Sequence, residues 1–317
     1  MKRTQINNEL KNKRMKSKNK KVKSLIITFA FIGTIVNANP GFYDIRDFGA
    51  KGDGKTLATE AINKAISACS ESDGGIVLVS GGTFVSGTVF MKSHVELRIE
   101  KGAILKGSSD IEDYIIDGRK YGLIHSENLQ NVAITGHGMI DANGSAFVNM
   151  DEVKVVEPRF QDYDSKYTRQ GDDYMSPKFG TEDGPVKPNE KRPFPTIEIN
   201  NCKHFLMKDV TLKNTPSWAI RVKHSEYADF VGFDILNDPL IPNSDGIHCT
   251  SSRIIHISNI HFEGGDDAII VSGLGGDPDK TAENITVSDC TIMTKSAGVR
   301  IGWSDCDIRN CVFENLV

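Results

Sequence analysis

Apolar residues change their spacing once along this chain, from a helical stripe to short alternating runs. Between Thr59 and Cys69, the residues Ala61, Ile62, Ala65, Ile66 and Cys69 fall at i, i+1, i+4, i+5 and i+8. That spacing predicts one amphipathic helix, stopped by Gly74-Gly75. Upstream, Tyr43–Phe48 predicts a short strand and Gly49–Gly54 a turn-rich loop. Downstream the period becomes two. Gly75-Ile-Val-Leu-Val, Thr83-Phe-Val-Ser-Gly-Thr-Val-Phe, Val95-Glu-Leu-Arg-Ile and Asn131-Val-Ala-Ile are β-rich runs separated by Gly, Ser and Asn.

Five later segments superpose on one another. They begin at Thr196, Ala219, Gly246, Ala268 and Val299, which are 23, 27, 22 and 31 residues apart. Each carries a short apolar strand, a polar turn, an alternating strand and a loop of variable length. One such coil cannot bury its own apolar face, whereas stacked coils share a continuous core. The pattern therefore predicts an all-β parallel β-helix, a single domain over residues 39–317, with the Thr59–Cys69 helix capping the first coil and shielding its sheet edge. Residues 142–195 interrupt the repeat with a charged, Pro- and Gly-rich stretch. It reads either as a functional loop excursion or as a disordered segment.

The repeat gives two Asp-rich turns a common position. Asn243-Ser244-Asp245-Gly246 and Gly265-Asp266-Asp267-Ala268 align if Gly246, Ala268 and Gly298 are equivalent, so Asp245, Asp267 and Ala297 stack at one corner. With coils about 4.8 Å apart, three carboxylates then lie within several ångströms of one another. Such a cluster favours one retained proton, and a protonated carboxyl beside an ionised one suits acid/base cleavage of a glycosidic bond. The plainer alternative is a pair of solvated Asp/Gly turns. The same alignment puts Arg221, His248, Ile270 and Arg300 outward on the surface that bears the carboxylates. These cations either pair with the carboxylate of an anionic sugar or neutralise the aspartates.

Composition narrows the function class. The 317 residues carry a net charge of −4, which argues against a nucleic-acid partner. Charge is uneven, however: residues 1–24 hold ten Lys or Arg and one Glu, and Ser24–Ala38 holds no charge. Residues 1–38 thus read as a secretory signal leaving at Val36-Asn37-Ala38, with Met15 an alternative start. An uncleaved membrane anchor is the competing reading. The mature protein is expected to be secreted or periplasmic, with no stable membrane span. The six cysteines include Asn201-Cys202, Asp289-Cys290 and Asn310-Cys311, a recurrence that suggests equivalent repeat positions and mostly free, buried thiols.

Asn-Ser-Asp-Gly-Ile at 243–247, Gly-Asp-Asp at 265–267 and Tyr-Asp-Ile-Arg-Asp-Phe-Gly-Ala-Lys-Gly-Asp-Gly from Tyr43 resemble glycoside hydrolase family 28, the polygalacturonases. The resemblance implies a right-handed parallel β-helix and an acidic plant cell-wall polysaccharide or oligosaccharide as partner. It implies Asp266 as general acid, and Asp245 and Asp267 holding and deprotonating water, with inversion. Asn243, Arg221, His248 and Arg300 would bind substrate. No metal or cofactor is expected, and the protein should act as a monomer.

Two parts of the family pattern are missing. Gly-His-Gly is replaced by Ser296-Ala297-Gly298, with Lys295 and Arg300 as possible substitutes, and no Arg-x-Lys follows before Val317. The chain stops in mid-repeat without a cap, so terminal coils are expected to be missing and activity impaired. A polysaccharide lyase, a non-catalytic polysaccharide binder and a structural solenoid remain as rivals.

Overall fold

Alternating apolar and polar residues, interrupted at fixed points by residues of positive φ, wind this chain into stacked coils. The computed structural model describes residues 41–148, 191–239, 241, 243–273, 278–302 and 305–317. The signal expected at 1–38 and most of the excursion expected at 142–195 lie outside the described residues.

Three parallel sheets of nine, seven and eight strands run the length of the stack, with each coil contributing one strand to each sheet where it is complete. The inward positions form continuous columns. In the seven-stranded sheet Ile124, Ile197, Ile220, Ile247, Ile269 and Val299 stand in register. In the eight-stranded sheet Phe84, Leu105, Ile140, Leu212, Ile235 and Phe262 do the same. Apart from Val299, which is half-buried, these residues are all buried, and each large side chain contributes roughly 1.5–3 kcal/mol relative to exposure. A second inward row of the seven-stranded sheet, Ile199, Val222, Cys249 and Val271, continues to Ile301, which is 59 % exposed.

One α-helix occurs among the described residues, α1 (Thr59–Glu71). It buries Ala61, Ile62, Ala65, Ile66 and Cys69, the stripe seen in the sequence, and packs on the first strands of the nine-stranded sheet, Phe42–Asp44 and Gly75–Val79. No helix among the described residues is long and apolar enough to cross a membrane.

Sequence expectation and structure differ at three points. Tyr43–Phe48 is not one strand: Phe42–Asp44 pairs with Ile76–Leu78, and Asp44 then caps a 3-10 turn over Ile45–Phe48 by accepting a hydrogen bond from Arg46 N. The fifth repeat begins at Gly298, the residue aligned with Gly246 and Ala268, and not at Val299, because Ile269 pairs with Val299 and Ala268 N bonds Ala297 O. The third difference concerns the cysteines.

All six thiols are free, and Cys69, Cys202, Cys249 and Cys290 are buried while Cys306 and Cys311 are half-buried. However, Cys202, Cys290 and Cys311 do not occupy equivalent positions. Cys202 sits at the corner entering the nine-stranded sheet, Cys290 at the corner leaving it, and Cys311 within that sheet opposite Ile285. The shared dipeptide has a local cause. Asn201, Asp289 and Asn310 all adopt positive φ, at 50°, 56° and 53°, which Asn and Asp tolerate best, and the next residue turns inward.

Such residues also form a column within the nine-stranded sheet. His94, Asn131, His204, Tyr227, Ile254, Asn284 and Asn310 have φ between 53° and 65° in successive coils. Asn310 Nδ2 donates to Asn284 Oδ1 at 3.3 Å, and Asn131 Nδ2 lies 3.3 Å from His94 Nδ1. Ile254 is the outlier in this column, since a β-branched residue at φ 56° carries roughly 1–2 kcal/mol of conformational strain. Ile254→Asn should therefore raise the unfolding free energy by about 1 kcal/mol. Denaturant titration measures this, and an unchanged or lowered midpoint at constant slope counts against the strain.

Candidate active site

The two Asp-rich turns meet at the corner entering the seven-stranded sheet. Gly246 N bonds Asp267 O at 2.9 Å, Ala219 N bonds Asp245 O at 2.8 Å, and Ala268 N bonds Ala297 O at 2.9 Å. Trp218, Asp245, Asp267 and Ala297 therefore occupy one column, as the repeat alignment required of the last three. Gly246 is needed for this approach: a Cβ there would stand 2.1 Å from Ala268 O. The turns are also clasped together by Ser244, whose hydroxyl donates to Ile241 O at 2.6 Å and accepts from Gly265 N at 2.8 Å.

Asp245, Asp266 and Asp267 are 3 %, 0 % and 2 % exposed, which excludes solvated turns. Each offers a carboxylate oxygen within 4.8 Å of the others, close enough to share a cation. The protein itself supplies donors. Arg300 Nε lies 2.7 Å from Asp267 Oδ2, while Ser296 Oγ and Ala297 N donate to Asp267 Oδ1 at 2.5 and 3.0 Å. Thus Ser296-Ala297, which stands where the family pattern has a histidine, holds Asp267 through a hydroxyl and a backbone amide. Asp267 N donates to Asp266 Oδ1 at 2.9 Å, and Thr294 Oγ1 donates to Asp266 O. The neighbouring Lys295 has its amine buried; desolvation draws it below the ordinary lysine value, with Asp238 opposing.

The outward row of the seven-stranded sheet runs Phe90, His125, Glu198, Arg221, His248, Ile270 and Arg300, all in register. His248 is 6 % exposed, and its Nε2 lies 3.0 Å from Asp245 Oδ2. Its ring is stacked on Trp218, with centroids 3.7 Å apart and planes inclined by 13°. His248 and Arg300 thus both contact aspartates of the cluster. Arg221 does not; its guanidinium is 3.9 Å from Glu198 and 5.9 Å from the Trp218 ring. Asn243, at φ 56°, accepts from the buried Arg192, whose other nitrogen donates to Pro216 O.

Trp218, Arg192, His125 and Glu198 are features that sequence reasoning missed. For Trp218 and Glu198 the signal was present, since both fall at aligned positions of the repeats. His125 extends the row beyond them: its Nδ1 is 3.4 Å from Glu198 Oε2, its Nε2 is 3.5 Å from Glu127 Oε2, and Tyr121 packs edge-on at 4.8 Å. Burial acts to raise the Glu198 carboxyl, but His125, Arg221 and Arg119 outweigh it and hold the group below the ordinary 4.5.

A parallel β-helix with a buried carboxylate cluster on one sheet is the class of protein that fold and site define. The sequence profile of glycosyl hydrolases family 28 matches residues 69–275, and the chain belongs to that family. It is 29 % identical over 275 residues to the exo-poly-alpha-D-galacturonosidase of Dickeya chrysanthemi, covering 78 % of this chain and 45 % of that protein. A probable polygalacturonase of Vitis vinifera is 30 % identical over 243 residues, covering 71 % and 43 %. The crystal structure of a hyperthermoactive exopolygalacturonase from Thermotoga maritima superposes with a TM-score of 0.67 at 27 % identity, over 87 % of this chain and 66 % of that one. The chain spans less than half the length of the two curated relatives.

The Glu198 environment sets a pH dependence. A carboxyl held below its unfolded value adds stability above that value, and the contribution is lost as pH falls through the lowered folded value. Glu198→Gln should therefore flatten the acid-side loss of thermal stability relative to the parent. Parallel melting curves for the two proteins below pH 4.5 would contradict the pairing.

Proposed function

We propose that this protein is a glycoside hydrolase that cleaves α-linked galacturonate or a related acidic pectic polymer, using Asp245, Asp266 and Asp267. The observation that carries this reading is the convergence of three buried carboxylates within 4.8 Å on a sheet face lined by Arg221, His248 and Arg300. The galacturonosidase and polygalacturonase names of the relatives support the substrate class.

The donors around the carboxylates divide their roles. Arg300, Ser296 and the Ala297 amide stabilise negative charge on Asp267. Three like charges at this separation are costly, so one carboxyl keeps a proton; Asp266, the most deeply buried of the three, takes that part. Asp266 then protonates the leaving oxygen while Asp245 and Asp267 hold and deprotonate the attacking water. His248, pressed between Trp218 and Asp245, fixes the direction of the Asp245 carboxylate. Arg221, whose guanidinium lies 3.9 Å from Glu198 and not on an aspartate of the cluster, is the cation best placed to meet a substrate carboxylate. The basic leader at 1–38 supports export.

Asp266→Asn should lower reducing-end release from polygalacturonate by about 100- to 10,000-fold and leave oligosaccharide binding nearly unchanged. Activity equal to the parent in that variant would remove the assignment.

Stereochemistry is a separate test. One oxygen of each carboxylate lies within 4.8 Å of the other two, an approach that leaves both inversion and retention open. With water held between Asp245 and Asp267, proton NMR of early products should show the β-anomer from an α-linked substrate. An initial α-anomer would make one aspartate a nucleophile instead.

A further inference from the structure

On the side of the aspartates that leads towards Phe90, the outward face of the seven-stranded sheet changes sign from one coil to the next. Beside the strand of His248 runs Ile220–Lys223, whose outward residues, Arg221 and Lys223, are both cations. Next comes Ile197–Asn200, with Glu198 in register with Arg221 and Asn200 in register with Lys223. The strand Ile124–Glu127 follows, with His125 and Glu127 outward. The face also opens in this direction. Every residue of Ile247–Thr250 and Ile269–Ser272 is buried, whereas Arg221, Lys223, Glu198 and Asn200 are half-buried.

A sugar ring is about as long as the coil spacing, roughly 5 Å, so successive units of a chain laid along this face meet successive coils. The unit over Ile220–Lys223 meets two cations. Lys223 stands in register with Asn200 on one side and Thr250 on the other, neither of them charged. The Arg221 guanidinium, 3.9 Å from Glu198, is beyond hydrogen-bond reach of it, and its buried Nε finds no acceptor among the described residues. These two side chains suit a free uronate carboxylate.

The following unit meets Glu198. Burial works against ionisation of this carboxyl, yet His125, Arg221 and Arg119 hold it below the ordinary 4.5, so it is charged at neutral pH. The nearby donors are divided already: His125 lies 3.4 Å from Glu198 and 3.5 Å from Glu127, and Asn200 Nδ2 donates to Glu127 at 2.8 Å. A second uronate here would bring a like charge against Glu198. The hydroxyls of an uncharged ring would instead donate to it.

We propose, on the reading of the protein as a pectic glycoside hydrolase, that Glu198 is a specificity-determining residue that admits an uncharged pyranose unit two coils, about 10 Å, from Asp245. The neighbouring unit, held by Arg221 and Lys223, is a free uronate. The preferred polymer is one in which charged and uncharged units adjoin, the uncharged unit being either a neutral hexose or an esterified uronate.

Titration calorimetry of the full chain carrying Asp266→Asn, which prevents cleavage, tests this with three oligosaccharides of equal length. One is all free galacturonate, one carries methyl esters on alternate units, and one alternates galacturonate with a neutral hexose. At least one mixed oligomer should bind about 10-fold more tightly than the all-free one, and the one that does so names the source of the uncharged unit. Adding Glu198→Gln, which keeps the size of the side chain, should bring the all-free oligomer to about parity, with a cooperative melting curve showing that the variant is folded. Adding Lys223→Gln instead should weaken binding of the mixed oligomer about 3- to 10-fold. An all-free oligomer that binds as tightly as both mixed ones, or a preference that survives Glu198→Gln, would overturn the proposal. Hydrolysis of polygalacturonate by the parent alongside either result would leave the hydrolase reading standing, whereas failure to bind any of the three overturns both.

Discussion

Everything at the candidate site depends on the backbone hydrogen bond that Gly246 N makes to Asp267 O, repeated one coil away by Ala219 to Asp245 and by Ala268 to Ala297. These bonds fix the vertical distance between coils at the strand spacing, about 4.8 Å. They also fix the horizontal register, because a slip by one residue would turn every side chain to the other face. Glycine at 246 is what permits the approach, since any side chain would meet the Ala268 carbonyl. Two carboxylates separated by a full coil of sequence are thereby forced into proximity that neither would adopt alone.

That proximity creates a debt of charge, and the surrounding residues are arranged to offset it. Asp267 draws on Arg300, Ser296 and a backbone amide, and Asp245 on His248. The cations nearest the cluster are therefore engaged by the protein itself. Further along the same outward row come Arg221, Glu198 and His125, and Glu127, two residues along the strand from His125, lies 3.5 Å from its Nε2. The sheet presents a graded surface: concentrated negative charge at one end and internally balanced pairs at the other. A chain-like anionic ligand lying along it would meet different electrostatics at each coil.

Much of this was legible in the sequence because the repeat is regular where it matters. Aligning the short strands places Asp245 with Asp267, and Arg221 with His248 and Arg300. The strand of His125 was missed because 73 residues separate Ile124 from its partner Ile197, and no local period bridges that distance. Side-chain commitments were invisible for another reason. An outward arginine looks the same in sequence whether it faces a ligand or a neighbouring aspartate, and the 2.7 Å contact of Arg300 with Asp267 is visible only in three dimensions. The cysteine pattern misled because a rule of local backbone geometry, positive φ at Asn or Asp, operates at several corners of each coil and mimics a repeat position.

Strand register in the seven-stranded sheet is kept across intervals of 22 residues from Ile247 to Ile269, and 30 from Ile269 to Val299. Height along the stack is thus decoupled from length along the chain. Loops between the strands can grow, shrink or change composition while the distance between one carboxylate and the next stays set by hydrogen-bonded backbone. A lineage built on this plan can rewrite the walls of its groove freely, and so change what fits there, while the chemical floor stays where it was.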